Sequence, residues 1–383
     1  MGPIYLDHNA TTPVHPEARA AMLPWLCERF GNPSSAHAFG TAAAEAIARA
    51  RAQVAALIGA APDEIRFTAG GTEADNLAIL GVGPDRGGRL VTTTIEHPAV
   101  ALPSSALIHG RGWVCTELPI DPRGRVDLKR AGPRIADMAP RPCDLLSVIL
   151  AQNETGVIQP VGELARMAHA ATKAAVVHTD AAQAVGKIPV DVRALDVDMM
   201  TIVSHKLYGP GGIGALYVRR GVKAPRPLLL GGGQEHGMRP GTEPTALIVG
   251  FGAACEVAGR ELADESTRVL GLRERLWDAL QTSIPGIVRT GEGAPTVPNT
   301  LHVRLPGVDG AAVLARAPEI AASTGSACHS GGGDGGVLGA MGVRPADARG
   351  AVRLSLGRLT REWDIGPAAR ALATAYRSLV ARA

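Results

Sequence analysis

Lysine is scarce in this chain. Only Lys129, Lys173, Lys187, Lys206 and Lys223 occur among its 39 basic residues, and the rest are arginine. Aromatic residues are equally few, with four each of Phe, Trp and Tyr in 383 positions. No uncharged apolar run approaches the ~18 residues of a membrane span, so the sequence offers no candidate for one. Charge of a single sign is missing too. The net formal charge is +3, and the arginines are scattered, which argues against a nucleic-acid footprint. The five cysteines, Cys27, Cys115, Cys143, Cys255 and Cys328, stand singly with no CxxC pair, which argues against a disulfide framework or a zinc cage. Four of them have apolar or helical neighbours and read as small core residues. The opening MGPIYLDHNATTP lacks the basic-then-apolar pattern of a secretory signal. The expectation is a soluble, cytoplasmic globular protein of about two domains.

Apolar residues, by contrast, make up 46% of the chain and glycine supplies 47 positions. Short apolar runs at Ile65–Thr68, Leu90–Thr94, Val114–Leu118, Leu145–Leu150, Val176–Thr179, Met199–Val203 and Ala215–Val218 carry no period-2 alternation. Such runs fit strands buried on both faces, and helical patterns such as Thr41–Ile58 and Pro160–Ala174 accompany them. The expected fold is α/β, a mostly parallel central sheet flanked by helices. Past Gly241 the pattern changes to two long helices, Glu243–Glu261 and Asp264–Thr282, then strands at Thr300–Leu305 and Ala351–Leu356 and a last helix from Arg361. This predicts a smaller α+β domain. The boundary is placed near residue 255, with 15–255 as the large domain and 1–14 joining 256–383 in the small one.

Several strand ends carry residues suited to chemistry. Thr68-Ala69-Gly70-Gly71-Thr72-Glu73 follows a strand and opens a helix, where backbone N–H groups and the helix dipole favour a phosphate, although an ordinary helix cap reads the same way. Asp180 ends a buried strand, either as a helix cap or as a carboxylate partner for a protonated ring nitrogen. Lys206 lies 26 residues further on, in Ser204-His205-Lys206-Leu207-Tyr208-Gly209. A partly desolvated lysine there can form a Schiff base, and only four others compete for the role. Together the loop, the aspartate and the lysine suit pyridoxal phosphate. His97 could stack on such a ring and exchange protons, and Asn153 could hydrogen-bond its phenolic oxygen or a substrate carboxylate. Arg353, alternating with apolar residues on a strand, needs a carboxylate from the protein or from a substrate. Cys328 lies in a glycine-rich stretch at 325–336, a mobile tether fit for a nucleophilic thiol, with His329 beside it to raise its thiolate fraction.

The chain resembles the cysteine desulfurase and selenocysteine lyase family, fold-type I pyridoxal-phosphate enzymes of the class V aminotransferase type. The resemblance rests on YLDHNATTP at 5–13, GNPSS at 31–35, GGTEADN at 70–76, NETG at 153–156, TDAAQAVGK at 179–187, HKLYGPGGIGALY at 205–217, GGGQE at 231–235, RPGTE at 239–243, GSAC at 325–328 and RLSLGR at 353–358. It implies Lys206 as the Schiff-base lysine, Asp180 on the pyridine nitrogen, Gln183 on the phenolic oxygen and His97 over the ring. Gly71, Thr72 and His205 would bind the phosphate, with Thr242 reaching in from the second subunit of a homodimer. Many relatives have a serine at the place of Val203, which leaves Ser204 as the candidate for that phosphate contact. Arg353 and Asn153 would hold the substrate carboxylate. Cys328 would take sulfur from L-cysteine as a persulfide and pass it to a protein acceptor. TIVSHK at 201–206, GGGQE with RPGTE, and ACHS at 327–330 look closer to selenocysteine lyases, which makes L-selenocysteine the alternative substrate. The remaining lysines sit in helical or loop settings that predict solvent exposure.

Overall fold

A computed structural model describes residues 2–325 and 336–381. Seven strands form the central sheet, in the spatial order Ile65–Thr68, Gly214–Val218, Met199–Val203, Val176–Asp180, Leu145–Ser147, Arg89–Thr93 and Val114–Leu118. Gly214–Val218 runs antiparallel to both neighbours, and the other pairings are parallel. The central strands are buried along their length, as runs without alternation require. Helices Ala38–Leu57, Gly71–Gly81, Pro98–Arg111 and Val161–Ala171 are among those that pack around the sheet.

A second hydrophobic cluster gathers Leu6, Leu276, Leu301, Val303, Leu354, Leu372 and Tyr376. It covers the antiparallel sheet of Val288–Arg289, Thr300–Arg304 and Ala351–Ser355. The two helices expected between 243 and 282 are one, Thr245–Ser283, of 39 residues. Sequence reading divides them at the polar stretch 261–265, but no glycine or proline stands there to break the backbone. What changes along the helix is its partner. Ile248, Phe251, Ala254 and Cys255 pack into the large sheet's core, and Val269, Leu272 and Leu276 into the second cluster.

The N-terminal segment joins both bodies. Ile4–Tyr5 pairs in parallel with Ile320–Ala321, His8 N–H donates to the Ser355 carbonyl at 3.1 Å, and Thr12 N–H donates to the His205 carbonyl at 3.0 Å. Among the described residues no helix is long and apolar enough to cross a membrane. Cys143 and Cys255 are buried, and burial raises the thiols of Cys115 and Cys143 to about 11 and 12. Cys27 departs from expectation. It ends helix Pro16–Cys27 and is exposed, because that helix buries only Ala18.

Candidate active site

The carboxyl ends of the parallel strands converge on a cavity of about 560 Å³, lined by Gly71, Thr72, Asp75, His97, Asp180, Val203, His205 and Lys206 among others. It opens beside a second recess, lined by Ala69, Gly70, Gly71, Thr72, Asn76 and His205. Glycine is required here by contact. A Cβ on Gly71 would lie 2.6 Å from Val203 Cγ2, and one on Gly214 would lie 2.8 Å from the Ile202 carbonyl and 2.9 Å from Gly70. Gly70 is the helix N-cap at φ 152° and has no side chain to cap with, so the first N–H groups of Gly71–Gly81 are left at the recess without a side-chain cap.

Asp180 is buried, and its Oδ1 accepts from Ala182 N–H at 2.8 Å. Asp75, Asp180 and His97 each bring one ligand-type atom within 4.8 Å of the other two. His97 caps helix Pro98–Arg111 through Nδ1, which accepts from Ala99 N–H at 3.1 Å, so a neutral His97 carries its proton on Nε2. Asp75 itself, with Glu96 and His178 near it, was not singled out by the sequence. Asp75 is one helical turn beyond Gly71 and therefore on the same helix face. Burial first, then Asp180 and Glu96, hold its carboxyl well above the usual range, and its Oδ1 has no hydrogen-bond partner. Glu96 is pushed up to about 8 by burial; Thr93 Oγ1 donates to its Oε1 at 2.5 Å and Ile149 N–H at 3.1 Å. His178, between Ser147 Oγ at 2.9 Å and Thr201 Oγ1 at 3.1 Å, is lowered by burial to about 3 and stays neutral.

Lys206 and His205 follow strand Met199–Val203 in one 3-10 turn. His205 Nδ1 is 3.1 Å from Thr11 Oγ1, and burial followed by Lys206 and Lys187 lowers its pKa. Ser204 does not reach the cavity. The turn points its fully buried Oγ at Gly209, where a Cβ would sit only 2.1 Å away, and apolar Val203 forms the wall at Gly71 instead. Gln183 is buried beside Ala182, its Nε2 donating to the Asn9 carbonyl at 2.9 Å. Asn153 is buried, with Oδ1 accepting from Gln152 Nε2 at 3.2 Å. Arg353 finds its carboxylate inside the protein, at Asp7 Oδ1, 2.8 Å from one guanidinium nitrogen, while another donates to the Asn153 carbonyl at 2.9 Å. Its Nε has no partner. Thr242 is exposed on the segment before the long helix and is not among the residues lining this cavity. Cys328 and His329 lie outside the described residues.

The expectation of solvent exposure holds for Lys129, Lys173 and Lys223 and fails for Lys187. Lys187 is turned inward by its bonds to Asn9 and Gln183, and lines a small cavity together with Lys206, His8 and Tyr208.

An anion cradle, a strand-end carboxylate and a lysine on one cavity fit a phosphorylated, ring-bearing aldehyde cofactor. Comparison with known proteins gives the same answer. Residues 4–366 match the family profile described as aminotransferase class-V. A cysteine desulfurase of Gluconacetobacter diazotrophicus is 46% identical over 374 residues, covering 95% of this chain and 91% of that protein. A solved NifS-like protein superposes with a TM-score of 0.89 at 34% identity, over 99% of each chain. A structure titled SspA in complex with cysteine gives a TM-score of 0.80 at 33% identity, over 92% of this chain and 99% of that one. The chain belongs to the class-V aminotransferase family.

Proposed function

We propose that this protein is a pyridoxal-phosphate-dependent cysteine desulfurase that converts L-cysteine to L-alanine and transfers the sulfur to Cys328 and on to an acceptor. The observation that carries the reading is the single cavity bounded by Gly71, Thr72, Asp180, His97, His205 and Lys206 at the sheet's carboxyl edge. The chain fits the cofactor. Gly71 and Gly214 leave no room for side chains beside the cradle, and the buried, unpartnered Asp75 Oδ1 marks a polar interior built for a ligand. Bound there, pyridoxal phosphate supplies an electron sink for the substrate's α-carbon.

The residues divide the remaining work. Gly71, Thr72 and His205 hold the phosphate, and Asp180 holds the proton on the ring nitrogen. Lys206 would anchor the cofactor through its amine and, freed of that bond, would move the proton at the α-carbon. His97 stacks over the ring with its proton on Nε2. Arg353 and Asn153 orient the substrate carboxylate. The Cys328 thiolate then attacks the substrate sulfur. The new S–S bond forms as the Cβ–S bond breaks, and its electron pair stays on carbon, where a proton completes alanine.

A homodimer with Thr242 at the neighbouring site is part of the proposal. Leu228 and Leu229 rim the anion recess, and Leu230 next to them is 92% exposed, apolar surface that a second copy would cover. A protein sulfur acceptor and a cytoplasmic setting complete it, in keeping with dispersed, unpaired cysteines. Incubation with L-cysteine should yield alanine and, with a reductant, sulfide in equal amounts. Cys328→Ala should abolish sulfur release while the cofactor stays bound, and undiminished release from that variant would refute the role of Cys328. Turnover of L-selenocysteine by the same two proteins reports the chalcogen preference.

A further inference from the structure

The desulfurase reading leaves Lys187 without a task, although it is the second amine beside Lys206. Its Nζ donates to Gln183 Oε1 and, at 2.9 Å, to Asn9 Oδ1. Gln183 Nε2 donates to the Asn9 carbonyl at 2.9 Å. The polarity of this ring of bonds is forced. An ammonium group can only donate and a backbone carbonyl can only accept, so the Gln183 oxygen must face Lys187 and its NH2 group must face away. One N–H is used by Asn9; the second is not used by this ring of bonds, and Gln183 follows Ala182, a residue of the cavity wall.

Asn9 is fixed in turn. Its Nδ2 donates to Thr300 Oγ1 at 2.8 Å, its Oδ1 accepts from Asn299 Nδ2 at 3.0 Å, and its N–H donates to Ser355 Oγ at 2.9 Å. The clamp therefore joins the wall carrying Asp180 and Gln183 to the antiparallel sheet. Around it stand Lys206 and Arg353, whose charges reach Lys187, and His8, Glu265 and Arg358, which line the shared cavity.

We propose that Lys187 is a positioning residue of this site: it fixes the amide of Gln183 with an N–H outward for the cofactor's phenolic oxygen. The proposal rests on the desulfurase reading. Burial, with Lys206 and Arg353, holds the Lys187 amine well below its ordinary range, yet a neutral amine still donates both of these bonds.

The test compares the holoenzymes of wild type, Lys187→Met, Lys187→Arg, Gln183→Leu and the double variant Lys187→Met/Gln183→Leu. The pH dependence of the bound cofactor's visible absorbance is read together with kcat and KM for L-cysteine. Loss of a donor to the phenolic oxygen disfavours its anionic form. Lys187→Met and Gln183→Leu should therefore each move the titration upward by about one pH unit. The double variant should move no further than either single one, and Lys187→Arg should move less. For Lys187→Met, kcat should fall about tenfold with KM changing less. An unshifted titration in Lys187→Met, or additive shifts in the double variant, would overturn the proposal. If Lys187→Met does not fold, Lys187→Arg decides: a shift smaller than that of Gln183→Leu supports the clamp, and an equal one overturns it. A wild type with no visible absorbance sinks the cofactor reading instead.

Discussion

The two ends of the central sheet carry the same residue types and use them in opposite ways. At the amino ends, His169 lies between Asp196 Oδ2 at 3.1 Å and Asp198 Oδ2 at 3.0 Å, and Arg219 bonds Asp196 at 2.8 Å. Asp198 Oδ2 also accepts from Val177 N–H at 2.8 Å. Each acid there has a base, and the group acts as a fastening. At the carboxyl ends, Asp75, Glu96 and Asp180 crowd together; Asp75 Oδ1 and Glu96 Oε2 have no hydrogen bond, and the histidine 3.6 Å from Asp75, His178, is neutral. Such an arrangement costs stability in an empty pocket, and that cost is the mark of a site shaped for a ligand. The lesson is that pairing, more than residue type, separates the structural edge from the chemical one.

Three substitutions test that contrast. Lys206→Ala, at the chemical edge, should lower turnover of L-cysteine by about a thousandfold or more and remove covalent attachment of the cofactor. Alanine production and the visible spectrum read this, and retained turnover would erase the distinction between the edges. Glu96→Gln addresses the uncompensated charge. With its folded-state value near 8 against an ordinary 4.5, Glu96 is protonated when folded over a range where it ionises when unfolded. Its contribution is thus lost as pH rises through that window, at about 1.4 kcal/mol per pH unit. The variant should show a flatter fall in stability from pH 5 to 8 in denaturant titrations, since Gln keeps the Oε1 acceptor. Parallel slopes in the two proteins would contradict the raised value.

The smallest effect belongs to the paired edge. Asp198 and Asp196 raise the His169 pKa, outweighing its burial, so its stabilisation is full below about pH 6.5 and fades as pH rises through the folded value. His169→Gln should cost about 1 kcal/mol at pH 6, less at pH 9, and leave turnover per loaded site unchanged. Melting at the two pH values, alongside an activity assay, checks it.

Much of this was legible in the sequence for a physical reason. Strands buried on both faces write themselves as unbroken apolar runs, and Ile65–Thr68 and Met199–Val203 fall where those runs do, whereas Val114–Leu118 forms at the predicted place but as an edge strand that is buried only at Leu118. The cavity is lined by residues at the ends of such runs, so Asp180, His97 and Lys206 could be placed there from position alone. Side-chain direction was not legible. Ser204 and His205 are neighbours, yet the turn sends one hydroxyl into Gly209 and one imidazole into the cavity. Lys187 looked like any lysine near a turn until Asn9, 178 positions away, supplied its acceptor. Asp75 and Glu96 were hidden similarly, because their meaning lies in what they lack.

The N-terminal segment also sets an order of assembly. His8 and Asn9 hydrogen-bond Ser355, some 346 residues later in the chain, and Asn9 then receives Lys187. The bonds of His8 and Asn9 to Ser355 cannot form during synthesis until strand Ala351–Ser355 has left the ribosome. The large sheet and its anion cradle are complete much earlier, since their last strand ends at Val218. The glycine-lined recess is therefore made first, and the fastening of Asn9 to the antiparallel sheet last. Until Asn9 meets Ser355, the recess stands without that brace behind it.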